Sequence, residues 1–186
     1  MAVERKARDP DLLDAIDALP RTAFAGSAWR AVRDGRDPTE ASSISGRWDV
    51  GDRDVVYTSL EADGAIAEVE FHLSRQPVFP SKYRAKVYEL SIDVKSVARF
   101  DTIDDLVPLG VAPDRYHEIL YDATQAIGDA AAFLGFDALI APNARWPAQN
   151  LVLFLEDRDT RSLPVLSETP IDWHEWRAHH RWNRKV

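Results

Sequence analysis

The side chains best able to do chemistry lie between Gly46 and Leu73, in the stretch GRWDVGDRDVVYTSLEADGAIAEVEFHL. Arg47 sits in a turn bracketed by Gly46 and Gly51, Tyr57 in a short β-branched run, and Glu68 and His72 one helical turn apart. A guanidinium presents a planar fork of donors that matches phosphate or carboxylate oxygens. A phenol offers a flat ring or a hydroxyl, and a partly shielded carboxylate stabilises positive charge as a bond breaks. The trio suits an anionic substrate with a ring and a bond that cleaves toward a cation. Each member also has an ordinary reading: Arg47 paired with Asp49 or Asp52, Glu68 solvated on a helix face, and His72 packed and hydrogen-bonded at the rim of that face.

Three successive elements must position them. The two glycines permit a tight backbone that fixes the direction of Arg47, and residues 55–58 read as a strand. Ala62, Ile66, Val69 and Leu73 then recur at helical spacing as a buried stripe, with Glu68 and His72 along its edge beside Gly64 and Ala65. Upstream, Asp9-Pro10 caps a short amphipathic helix carrying Leu12, Leu13, Ile16 and Leu19, which must stop before Pro20. Residues 28–33 alternate as a first strand, with Arg30 either a cleft-facing cation or a surface arginine on an edge. Residues 34–45 are a loop close enough to cover a ligand.

Downstream, residues 74–84 form a proline-punctuated connection and residues 86–92 a strand, while residues 93–115 read as irregular and acidic. Asp101, Asp104 and Asp105 lack calcium-loop spacing. Residues 116–134 give the strongest helix pattern, with Ile119, Leu120, Ala123, Ala126, Ile127, Ala130, Phe133 and Leu134 as its stripe and Gly135 as its stop. Strands at 137–141 and 150–155 flank a polar turn, which puts Asn143 and Asn150 at a strand mouth where ligand contacts often sit. The tail combines Trp173, Trp176 and Trp182 with Arg177, Arg181, Arg184 and Lys185. Because Trp173, Trp176 and His180 share a helical face, docking on the core or on a partner protein fits better than nucleic-acid binding.

Composition narrows the classes. The length of 186 residues, 45% hydrophobic and 29% charged, fits one soluble domain with a real core. A net charge of -8 argues against direct nucleic-acid binding. No cysteine is present, which removes disulfides, thiolate zinc sites and cysteine nucleophiles. His174-Glu175 lacks the second histidine of a zinc-protease motif, because position 178 is alanine. No metal is expected, no apolar run is long enough for a membrane span, and no secretory signal opens the chain, so the expected location is the cytoplasm.

Four segments together resemble the RES domain, a bacterial family named for its arginine, glutamate and serine: WRAVR, GRWDVGDRDVVYTS, AIAEVEFH and APNARWPAQNLVLF. The resemblance covers residues 27–160, leaving 1–26 as a helical appendage and 161–186 as a basic, aromatic tail. It implies an α+β fold like that of the ADP-ribosyltransferase toxins, a mixed, largely antiparallel sheet core split around an NAD cleft with flanking helices. It further implies a toxin neutralised by an Xre-type antitoxin, consuming NAD+ as substrate. ADP-ribose would pass to a protein side chain, or to phosphate or water in a phosphorylase or glycohydrolase; an inactive module keeping only the fold is the rival reading. Residue by residue, Arg30, Arg47, Tyr57, Glu68 and Asn150 match the family's motifs. Asn143 stands where the family has serine, and Asp49 where it has asparagine. The resemblance therefore implies catalytic roles for Glu68, Arg47 and Tyr57, and NAD contacts from Arg30, Arg47, Tyr57, Asn143 and Asn150.

Overall fold

Alternating and continuous apolar runs form strands that close on themselves. A computed structural model describes residues 7–42, 44–80, 82–155 and 163–180. In chain order its elements are α1 (Pro10–Asp17), β1 (Thr22–Arg33), β2 (Asp54–Ser59), α2 (Ala62–Ser74) and β3 (Ala85–Arg99). They continue with α3 (Asp122–Phe133), β4 (Ala138–Pro142), β5 (Gln149–Leu155), β6 (Val165–Pro170) and α4 (Trp173–His179). The architecture is α+β, with a mixed sheet and flanking helices.

Strand β1 runs antiparallel to β3 from Arg33↔Ala85 to Gly26↔Ile92. Strand β3 continues parallel to β4, β4 lies antiparallel to β5, and β5 antiparallel to β2. The ring then closes through a single antiparallel pair between β2 and β1, Trp29↔Ser59. Every other junction in the ring is a ladder of at least three pairs. Strand β6 adds to the outer edge of β3. The ring is therefore a barrel with one weak seam, and β1 and β2 part beside it.

The apolar stretch Ala138–Ala141 is buried throughout, as expected for a strand covered on both faces. On one side, Leu139, Val152 and Phe154 pack with Ile127 and Phe136, and α1 joins them through the fully buried Ile16. On the other, Ile140, Leu151 and Leu153 meet Ala28, Val56, Leu90 and Ile92 inside the barrel. Trp173 of α4 packs with Ile66 of α2 and Ala85, so the tail docks on the core; Trp182 and its basic neighbours at 181, 184 and 185 lie outside the described residues. No described helix is long and apolar enough to cross a membrane.

Strand β3 and helix α3 differ from the sequence expectation. Strand β3 runs to Arg99, well past residue 92, because Val94, Val97 and Ala98 are buried while Asp93 and Lys95 face outward. The alternation is real but broken by a bulge opposite Thr22–Phe24, which hides it from a strict period-two reading. Helix α3 begins at Asp122 rather than 116. Tyr116 is drawn into the core, its hydroxyl donating to the Pro142 carbonyl at 2.6 Å, and this anchor turns the chain away from a helical path. Ile119 and Leu120 are consequently exposed; Phe133, at the end of α3, is exposed too, with the Arg8 Cζ 4.1 Å from its ring centroid.

Candidate functional site

Where β1 and β2 part, a cavity of about 460 Å³ opens, lined by Arg30 from β1, Tyr57 from β2, Glu68 and His72 from α2, and Asn150 from β5. Arg47 enters from the turn before β2. Its volume lies within the range usual for small-molecule sites. Two larger hollows, of about 790 and 560 Å³, lie against α4, and neither is lined by Arg47, Tyr57 or Glu68.

The turn that carries Arg47 is fixed from several directions. The Gly46 amide donates to the Asp49 carbonyl at 2.9 Å, and Gln125 of α3 donates Nε2 to the Gly46 and Asp49 carbonyls at 2.8 and 3.2 Å. The Trp48 amide donates to the Tyr57 hydroxyl at 3.0 Å. Glycine is required at 46 because a Cβ there would stand 2.5 Å from that hydroxyl. The Arg47 guanidinium, its Cζ 4.7 and 4.8 Å from the ring centroids of Tyr121 and Tyr116, also donates to the Glu118 carbonyl at 3.1 Å. It forms no pair with Asp49, whose carboxylate is buried without a hydrogen-bond partner. The Tyr57 ring lines the cavity while its hydroxyl is engaged by the turn, and burial pushes that phenol well up from its ordinary value.

Arg30 lines the same cavity, but its Nη1 donates to the Pro38 carbonyl at 2.8 Å and to the Glu40 carbonyl. It thereby ties the segment from Pro38 to Glu40 of the following loop to β1. Burial lowers its pKa to about 10.

Glu68 is partly sunk into the wall of the cleft, and burial raises its pKa above the usual carboxylate value. The positive charge of Arg145, the Asn150 amide and, more weakly, Arg47 oppose that rise. Asn150 donates Nδ2 to Glu68 Oε1 at 3.4 Å, a long contact of the kind that tightens on substrate binding. His72, one turn on, is held toward its neutral form by burial and by Arg145 and Arg75.

Five of the six residues singled out in the sequence thus converge on one cavity. Asn143 does not join them directly: it is 6% exposed, sits behind Asn150 and lines the neighbouring hollow of about 560 Å³ instead. Sequence reading missed Arg145, Tyr121 and Gln125. Arg145 stacks on Phe71, with Cζ 3.4 Å from the ring centroid, and its Nη1 donates to the His117 carbonyl. Its buried Nε has no partner, and burial lowers its pKa. Nothing in local spacing marks these three, because each meets the elements that carry the site across 70 or more positions: Arg145 at Phe71, Gln125 at Gly46 and Tyr121 at Arg47.

A family model of the RES domain matches residues 9–174. The chain belongs to the RES-domain family. Its RES fold is similar to a chain in the crystal structure of the M. tuberculosis MbcT–MbcA toxin–antitoxin complex, with a TM-score of 0.80 at 20% identity. That match covers 92% of this chain and 98% of the other. A comparison with curated proteins finds no match.

Proposed function

We propose that this RES-domain protein is the toxin of a toxin–antitoxin pair and cleaves the nicotinamide–ribose bond of NAD+, passing on ADP-ribose. The observation that carries the proposal is the meeting of Glu68, Arg47 and the Tyr57 ring at the cavity where the barrel seam opens. The same geometry supports an ADP-ribosyltransferase-like use of that cleft. The C1′–N1 bond breaks with its electron pair leaving on nicotinamide, which departs neutral, so no acid is needed. What the protein supplies is grip, position and negative charge near the ribose.

Arg47, preorganised between two tyrosines, grips the pyrophosphate, and Tyr57 supplies the platform for the ring. Arg30 adds positive potential and holds the loop over the mouth. Glu68, whose burial is partly offset by Arg145, Asn150 and Arg47, binds the ribose hydroxyls as the carboxylate and stabilises the oxocarbenium-like transition state. An acceptor lone pair then bonds to C1′, and the acceptor's proton passes to Glu68 or to water. We assign the acceptor as a protein side chain, the partner as an Xre-type antitoxin, and the site of action as the cytoplasm.

Incubating the purified chain with NAD+ and cell lysate tests this, with free nicotinamide and labelled protein as readouts. Label on a protein supports the transferase. Nicotinamide release with small-molecule products alone moves the assignment to phosphorylase or glycohydrolase, and no release under any condition refutes the enzymatic reading.

A further inference from the structure

The side chain that occupies the family's serine position is surrounded by groups that have no choice of role. Asn143 Oδ1 accepts from the backbone amides of Arg145 and Trp146 at 2.7 and 3.1 Å. Its Nδ2 donates to the Gly64 carbonyl at 3.3 Å and to Asn150 Oδ1 at 2.8 Å. A backbone N–H only donates and a carbonyl only accepts, so these three partners fix which end of the Asn143 amide is oxygen. That in turn fixes Asn150: its oxygen must face Asn143, and its Nδ2 must face Glu68. The distances agree, with Asn150 Nδ2 donating to Glu68 Oε1. Gly64 makes room for the arrangement, since a Cβ there would meet Ser59 Oγ at 2.2 Å and Asn143 Nδ2 at 3.2 Å.

We propose that Asn143 is a positioning residue: it locks the Asn150 amide so that a donor, not an acceptor, faces the Glu68 carboxylate. The proposal rests on the catalytic reading of Glu68 given above. It assigns residue 143 no contact with NAD+. A serine hydroxyl carries one proton and cannot donate to Gly64 and Asn150 together, so this chain holds the amide through one more donor than the family residue offers.

Two substitutions separate this from a merely structural role. Asn143→Asp keeps the shape and reverses the inner contact, so Asn150 must flip and present its oxygen to Glu68. The expected result is a drop in kcat of about tenfold or more with KM for NAD+ within about twofold, the effect of losing one hydrogen bond to a charged group. The acid limb of the pH–kcat profile should move to higher pH. Asn143→Ser, which keeps one donor, should restore most of the rate and return the limb toward wild type. A rise in KM with kcat unchanged would instead place Asn143 against substrate and overturn the proposal.

Titration of Glu68 by carboxyl carbon NMR, in wild type and both variants, is independent of activity. Its midpoint should move up in Asn143→Asp and less in Asn143→Ser; an unmoved midpoint in the folded aspartate variant would overturn the proposal. If wild type released no nicotinamide, the enzymatic reading would fall, while the NMR midpoints would still decide the positioning role.

Discussion

Replacing Glu68 by glutamine should remove activity and stabilise the fold at once. The amide keeps the size of the carboxylate but cannot hold negative charge beside an oxocarbenium-like ribose. Loss of one such preorganised group costs about a hundredfold to a thousandfold in rate, or about 3–4 kcal/mol. Stability moves the other way. Burial raises the Glu68 pKa above 4.5, so the folded protein binds that proton more tightly than the unfolded chain does. Its contribution is complete below pH 4.5 and is lost as pH rises through the folded value, which leaves the ionised carboxylate a cost at pH 7.

A buried charge that is only partly compensated costs on the order of 1–3 kcal/mol. Arg145 and Arg47 recover some of that in wild type, so the gain for Glu68→Gln belongs at the lower end, about 1 kcal/mol, or about 2–4 °C in Tm for a domain of this size. Nicotinamide release and scanning calorimetry at pH 7 and pH 4 read both effects. The gap in Tm should be present at pH 7 and close at pH 4. A variant that kept wild-type turnover, or that melted below wild type at pH 7, would refute the placement of Glu68 as a desolvated catalytic carboxylate.

Four further outcomes follow from the same geometry. Arg47→Lys removes the flat group from between Tyr116 and Tyr121 and should raise KM for NAD+ about tenfold, with the circular dichroism spectrum unchanged. Gly46→Ala drives a methyl into the Tyr57 hydroxyl and should lower stability by about 1–3 kcal/mol, with activity falling beyond what unfolding explains. Asp49 is 2% exposed with neither oxygen hydrogen-bonded, and burial raises its pKa, offset only in part by the nearby Gly51 amide. Asp49→Asn should therefore raise Tm at pH 7 and bring little gain below pH 3.8, as thermal melts at the two pH values would report. Gly128→Ala would set a Cβ 2.0 Å from the Trp48 carbonyl oxygen and should abolish folding into a soluble, cooperatively melting protein.

The parts of the site that could be read from sequence are those whose neighbours are close in the chain. Arg47, Tyr57 and Glu68 lie on a turn, a strand and a helix that follow one another within about one βα unit, and family spacing marks all three. The buried run at 138–141 and the strand at 150–155 were legible from apolar continuity alone. Contacts made across the barrel were not. The charge of Arg145 is felt at Glu68 only because β4 and β5 hang the 143–147 turn over α2, and Tyr121 meets Arg47 only because Tyr116 stops the helix short of it. Asn143 shows the limit most plainly. Its residue type suggests a ligand contact, and only the fixed donors and acceptors around it reveal that it faces inward.

The lone rung between Trp29 and Ser59 has a consequence for how such a molecule diversifies. Residues 34–41 leave β1 at that spot, ahead of the turn that carries Arg47 and outside the ladders that hold the remaining staves together. Insertions or rewritten loops there alter the doorway and whatever leans against it without unzipping the wall. Under the proposed chemistry, a lineage can thus exchange one acceptor for another at the threshold while Arg47, Tyr57 and Glu68 behind it stay in place.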